Sequence, residues 1–124
     1  MRAFCFLRHL QGCADAWPTD ITQGQTDQGA ELIINAATWP PGKYGPGDTW
    51  LKRSVKSGLP IFVANRTGVE QDFDIREAES VVAYQGQYLL QHSGPTPALI
   101  VVDWSTEHRQ LQGYQVLELP LPKR

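Results

Sequence analysis

An α/β domain with a mixed sheet and its helices on one face is the fold this chain predicts, and three observations carry that expectation. A helix-like segment, a glycine and a brief unbroken apolar run follow one another twice, ending in Leu32-Ile33-Ile34 and in Ile61-Phe62-Val63. Unbroken runs of that length suit strands covered on both faces. Two apolar runs around Gln85-Gly86-Gln87 read as a hairpin, and Ala98 to Asp103 reads as one more strand. With 124 residues, 41% hydrophobic and 19% charged, the chain has the size of one domain or of part of one.

The elements follow in chain order. Phe4-Cys5-Phe6-Leu7 is strand-like, but Arg8-His9-Leu10-Gln11-Gly12 makes residues 1–12 an irregular entry. Pro18 suits the first position of a helix, where its missing amide donor costs nothing, and a polar helix over Thr19 to Gln28 would stop at Gly29. Glu31 to Asn35 is then a strand. Thr38 to Gly47 carries three prolines and three glycines, which break both ladders and helices, so it is a loop. Asp48 is placed to cap a helix over Thr49 to Ser57, with Gly58 as its stop. On that helix Trp50, Leu51 and Val55 are expected to face the core and Lys52, Arg53 and Lys56 the solvent. Pro60 to Asn65 forms the next strand, and Glu79 to Tyr84 pairs with Tyr88 to His92. Residues 104–124 are expected to form a terminal helix or tail, with Val116 to Leu119 apolar enough to pack on something.

Composition removes several classes of function. A net charge of −2 with scattered Lys and Arg offers no footprint for nucleic acid or an anionic membrane. No apolar stretch approaches the roughly 20 residues that span a bilayer. Arg8 and His9 interrupt the first apolar patch too early for a secretory segment, so a cytoplasmic location is the expectation. A single pair of cysteines, Cys5 and Cys13, does not make a secreted scaffold, and reduced thiols are expected. Cys5, His9 and Cys13 recur every four residues and would share one face of a helix, yet they offer only three ligands and Gly12 breaks a helix there. No metal and no cofactor is therefore expected.

Cys13 stands where a strand should give way to a helix, the place for a nucleophile. Its surroundings are specific as a set: Cys13-Ala14-Asp15, then Gly29-Ala30-Glu31-Leu32-Ile33-Ile34-Asn35-Ala36-Ala37-Thr38-Trp39-Pro40, then a helix beginning near Trp50, then Phe62-Val63-Ala64-Asn65-Arg66-Thr67-Gly68. In this order and spacing the residues resemble the carboxyl-terminal portion of the nitrilase-like carbon-nitrogen hydrolase superfamily. The resemblance covers residues 13–103, and Gly86 matches the late hairpin. It implies a partial α-β-β-α sandwich and cleavage of non-peptide carbon-nitrogen bonds in nitriles, amides or carbamoyl compounds by a Cys-Glu-Lys triad.

Only the cysteine carries over, onto Cys13 as nucleophile, with the Ala14 backbone amide as oxyanion donor. The helix start beyond Cys13 would lower the thiol pKa. The Glu and Lys of such a triad lie upstream of the cysteine, and residues 1–12 contain no Glu, Asp or Lys. One expectation is therefore that residues 1–12 are not the native frame. Trp39, Tyr44, Asn65 and Arg66 are the candidates for a substrate pocket that takes a small nitrile or amide. Each has a plainer reading. Trp39 and Tyr44 could pin their loop, Asn65 and Asn35 could hold loops together, and Arg66 could pair with a neighbouring acid. Asp15 reads as a structural acceptor, and His92 and His108 lack partners at catalytic spacing. The competing function is a non-catalytic remnant or interaction module, since half a sandwich exposes an apolar sheet face. A homo-oligomer is compatible with either.

Overall fold

Parallel pairing opens the sheet. In the computed structural model, which describes residues 8–12 and 29–119, β1 (Arg8–Gly12) lies beside β2 (Leu32–Ala37), with Gly12 opposite Ala36. β2 in turn runs parallel to β3 (Ile61–Asn65), with Ile33 opposite Ile61 and Ala37 opposite Asn65. The connection between β2 and β3 contains α1 (Thr49–Ser57). After a two-residue ribbon, β4 (Val69–Glu70) with β5 (Phe73–Asp74), the chain returns as β6 (Ser80–Tyr84), antiparallel to β3. β7 (Gln87–His92) closes the five-stranded sheet in the order β1-β2-β3-β6-β7. A second antiparallel pair, β8 (Ala98–Ser105) and β9 (Gln110–Glu118), forms a separate two-stranded sheet. The architecture is mixed α/β.

Three expectations change here. Arg8–Gly12 is a strand rather than an irregular entry, because a backbone ladder with β2 does not depend on an alternating side-chain pattern. Residues beyond Asp103 do not form a terminal helix or tail: β8 continues to Ser105 and β9 pairs with it along its whole length. The run from Gln110 to Glu118 is polar and apolar by turns, with Leu111 and Val116 half-buried, so cross-strand contact decides what local propensity leaves open. The strand-like Phe4–Leu7 and the helix expected over Thr19 to Gln28 lie outside the described residues.

The third change concerns α1. Trp50 is buried and Leu51 half-buried as expected, but Val55 is 63% exposed and Ser54 takes the inward position. Ser54 lies four residues after Trp50, on the same helical face. Its hydroxyl donates to the Leu51 carbonyl at 2.7 Å and accepts the Gly86 amide at 3.1 Å, tying the β6–β7 turn to the helix. A part-buried amide there is best satisfied by an acceptor, which Val55 could not provide. Gln85 and Gly86 both have positive φ, 53° and 76°, as the turn of a two-residue hairpin demands. Asp48 does precede the helix, but its side chain makes no capping bond and instead meets Lys52 at 3.3 Å. Gly58 ends the helix in the left-handed conformation at φ 70° and donates its amide to the Ser54 carbonyl.

The core lies between α1 and one face of the sheet. Ile33 and Ala37 of β2, Ile61 and Val63 of β3, Val81 and Ala83 of β6 all turn toward Trp50. The other face is only partly covered: Trp104 of β8 meets Phe62 at 5.5 Å and Tyr84 at 6.0 Å, each edge to face.

Candidate active site

Parallel strands bring their carboxyl ends to one rim, and the candidate residues follow those ends in sequence. Cys13 succeeds Gly12, the last residue of β1; Trp39 stands two residues after β2; Asn65 ends β3 and Arg66 follows it. The register draws the last two strand ends level, since Ala37 opposes Asn65 and the Arg66 amide donates to the Ala37 carbonyl at 3.0 Å. Such a rim is where α/β folds collect their ligands. Cys13, Ala14 and Asp15 lie outside the described residues.

Asn65 is the joint of this rim. Its Oδ1 accepts the Trp39 backbone amide at 2.9 Å, and its Nδ2 donates to the carbonyls of Trp39 at 3.2 Å and Glu79 at 3.1 Å. The Asn65 amide donates to Ser80 Oγ at 2.9 Å. One side chain thus fastens the segment leaving β2, the end of β3 and the residues entering β6. These bonds occupy the carboxamide in holding the loops. Ser80 was not singled out in the sequence, and only its register beside the β3 terminus reveals it.

Trp39 packs edge-on against Trp50, with ring centroids 5.5 Å apart, and its indole N–H donates to the Tyr44 carbonyl at 2.7 Å. Its ring therefore joins the loop to the core face. Tyr44 is 81% exposed, and the Lys43 ammonium lies 5.5 Å from its ring. Arg66 is exposed and pairs with Glu70 at 3.0 Å. Asn35, fully buried on β2, sits on the same face as Ile33 and Ala37.

The loop that carries Trp39 and Tyr44 turns tightly at Gly45, whose amide donates to the Gly42 carbonyl at 3.0 Å. A Cβ there would stand 2.7 Å from the Pro40 carbonyl oxygen and 2.9 Å from the Pro41 Cα, both backbone atoms that have nowhere to yield. Gly45→Ala is expected to cost about 1–3 kcal/mol by overpacking, read from a urea titration. An unchanged midpoint would show that the loop relaxes freely.

Beside this rim Arg66, Thr67, Ser80, His92 and Thr96 line a recess of about 40 Å³. The Thr67 hydroxyl donates to the Gly94 carbonyl, closing one side of it. Asp74 is held well below the usual carboxylate range, at about 2, by hydrogen bonds from the Arg76 guanidinium. That pair belongs to the β4–β5 ribbon and its approach to β6, and its role is to fix the turn there. Among the described residues no group of three or more His, Cys, Asp or Glu could hold a metal ion. No helix among them is long and apolar enough to cross a membrane.

With the geometry in place, the chain's fold has counterparts among solved structures. It is similar to an amidase of the nitrilase superfamily from Nesterenkonia AN1, with TM-score 0.62 and 21% identity over 90% of this chain and 37% of that chain. It is similar also to the glutamine-dependent NAD+ synthetase of Acinetobacter baumannii, with TM-score 0.71 and 18% identity over 93% of this chain and 22% of that one. Saccharomyces cerevisiae Nit3, of branch 10 of the nitrilase superfamily, matches with TM-score 0.61 and 13% identity over 69% of this chain and 33% of that chain. No protein-family model matches the sequence, and no curated protein sequence matches it. The fold is thus the nitrilase-like carbon-nitrogen hydrolase fold, of which this chain spans 37% of the amidase's length.

Proposed function

We propose that this chain is the nucleophile-bearing part of a carbon-nitrogen hydrolase acting on a small amide or nitrile. The observation that carries the reading is the rim itself: Cys13 follows the carboxyl end of a strand parallel to β2 and β3, whose own ends Asn65 fastens together. In a variant of the Nesterenkonia amidase, the acetamide moiety of fluoroacetamide is covalently added at the active-site cysteine.

For an amide substrate the Cys13 thiolate adds to the carbonyl carbon, and the Ala14 amide stabilises the oxyanion that forms. Collapse of the adduct breaks the carbon-nitrogen bond, a general acid protonates the departing amine, and a thioester remains. Water then attacks that thioester, releasing the carboxylic acid and the thiol. The resemblance places the acid-base carboxylate and the lysine of this chemistry upstream of the cysteine, and residues 1–12 hold no Glu, Asp or Lys.

Fluoroacetamide tests the nucleophile. Intact mass and peptide mapping should show alkylation at Cys13 about tenfold or more faster than at Cys5 at pH 7, as a lowered thiol pKa requires. Cys13→Ala should lose the adduct and Cys5→Ser should keep it. Equal labelling of both thiols would end the assignment. The alternative, an interaction module without catalysis, is favoured by one observation, the incompletely covered apolar face of the sheet.

A further inference from the structure

We infer that the recess beside the rim is a binding site for the carboxylate of a small organic acid. It is built where three strand ends meet. Arg66 and Thr67 follow β3, Ser80 opens β6, and His92 closes β7 directly opposite Ser80 in the ladder. The connection from β7 to β8 supplies Thr96, while Ala78, Ala98 and Ile100 form an apolar wall.

The lining selects an anion. No Asp or Glu stands among the residues that bound the recess, whereas Arg66 brings a guanidinium, a permanent charge whose fork of donors fits a carboxylate. The neutral donors are unspent. Ser80 Oγ accepts the Asn65 amide at 2.9 Å, and its own proton meets no acceptor among the described residues. His92 and Thr96 likewise make no hydrogen bond to a described residue. Thr67 differs, because its proton goes to the Gly94 carbonyl, so it closes the recess and does not serve the ligand. An apolar wall beside these groups lowers the local dielectric, which strengthens their attraction for a charge.

Glu70 already engages Arg66 at 3.0 Å, but the two side chains are 56% and 62% exposed. Such a pair contributes little to stability, so the guanidinium turns from Glu70 to a ligand at small cost. Size and charge then narrow the ligand. About 40 Å³ is room for about three waters, or for one anion of about four or five heavy atoms. Acetate and phosphate both fit by size. One cation with neutral donors balances a monoanion, whereas a second negative charge would stand uncompensated against the apolar wall. The inference is separate from the chemistry proposed at Cys13, since these strand ends lie two or more strands from β1 in the sheet order and binding is read without reaction.

The test titrates the full chain with sodium acetate or sodium phosphate at pH 7.5, with sodium chloride holding the ionic strength constant, and follows backbone amides by nuclear magnetic resonance. Acetate should give saturable shifts at Thr67, Ser80 and Gly94, and should bind at least about fivefold more tightly than phosphate. Arg66→Gln should weaken acetate at least about tenfold and leave the melting temperature in chloride unchanged, as loss of an exposed pair requires. Thr96→Val keeps the side-chain shape, removes one donor, and should weaken acetate about threefold. Glu70→Gln frees Arg66 and should tighten acetate about twofold or more, whereas Glu107→Gln, the same change of charge on the β8–β9 turn, should leave it unaltered. Shifts that follow chloride as closely as acetate, or full acetate affinity in Arg66→Gln, would overturn the site. Equal tightening by both glutamate variants would reduce it to a diffuse field, and phosphate binding as tightly as acetate would overturn the carboxylate assignment.

Discussion

Asn65→Ala is expected to destabilise the chain by about 2–3 kcal/mol, because truncation leaves the Trp39 amide and two carbonyls without the carboxamide that satisfies them. The site is half-buried and water can reach Glu79, so the cost falls short of three fully buried losses. The melting temperature should fall by roughly 6–12 °C, given the usual entropy of unfolding for a chain of this size. Asn65→Asp separates the two functions of the side chain. It keeps an acceptor for the Trp39 amide but sets a carboxylate against the carbonyls of Trp39 and Glu79, which should raise its folded pKa above the ordinary value of about 4. The destabilisation is then largest at pH 7 and shrinks as pH falls through that raised pKa, where the protonated acid can donate again. Thermal melts of both variants from pH 7 to pH 4 check this. A change under 0.5 kcal/mol on Asn65→Ala would show that the rim is held by its strand ladders alone.

Trp50→Ala should have the larger effect on global stability. The indole is 2% exposed and stands at the centre of the cluster formed by Ile33, Ile61, Val63, Val81 and Ala83. Deleting so large a buried side chain costs about 3–5 kcal/mol, a large share of the roughly 5–15 kcal/mol that holds a domain together. Trp50→Phe should cost much less, since an aromatic edge remains for Trp39. The Trp39–Trp50 contact is itself open to measurement: a double-mutant cycle with Trp39→Leu and Trp50→Leu, each of which removes the ring-to-ring contact, should return a coupling of about 0.5–1.5 kcal/mol. Urea denaturation monitored by circular dichroism provides all four corners. Additive variants would mean that Trp39 is anchored through Asn65 and Tyr44 alone.

These two residues differ in how far the chain announces them. Trp50 was legible because an amphipathic nine-residue helix bounded by Asp48 and Gly58 has one apolar face, and a tryptophan on it goes inward. Asn65 was visible only as a polar residue ending an apolar run. Its three bonds reach 26 and 14 positions away, and no local pattern encodes a contact of that range. The same division separates Val55 from Ser54. The apolar pattern placed Val55 inward and was silent on Ser54, and the amide of Gly86, 32 residues on, selected Ser54.

By itself the sequence determined the α/β rhythm, the bounds of α1, the strands at β2 and β3, the β6–β7 hairpin and the resemblance centred on Cys13. Each of these rests on neighbours a few residues apart, where propensity, periodicity and turn chemistry act. Only the tertiary structure decided that Arg8–Gly12 joins the sheet and that Gln110–Glu118 is a strand paired with β8. It also decided that Asn65 ties three segments into one rim. Those outcomes depend on backbone pairing and packing between residues far apart in the chain, whose energy appears only when the partners meet.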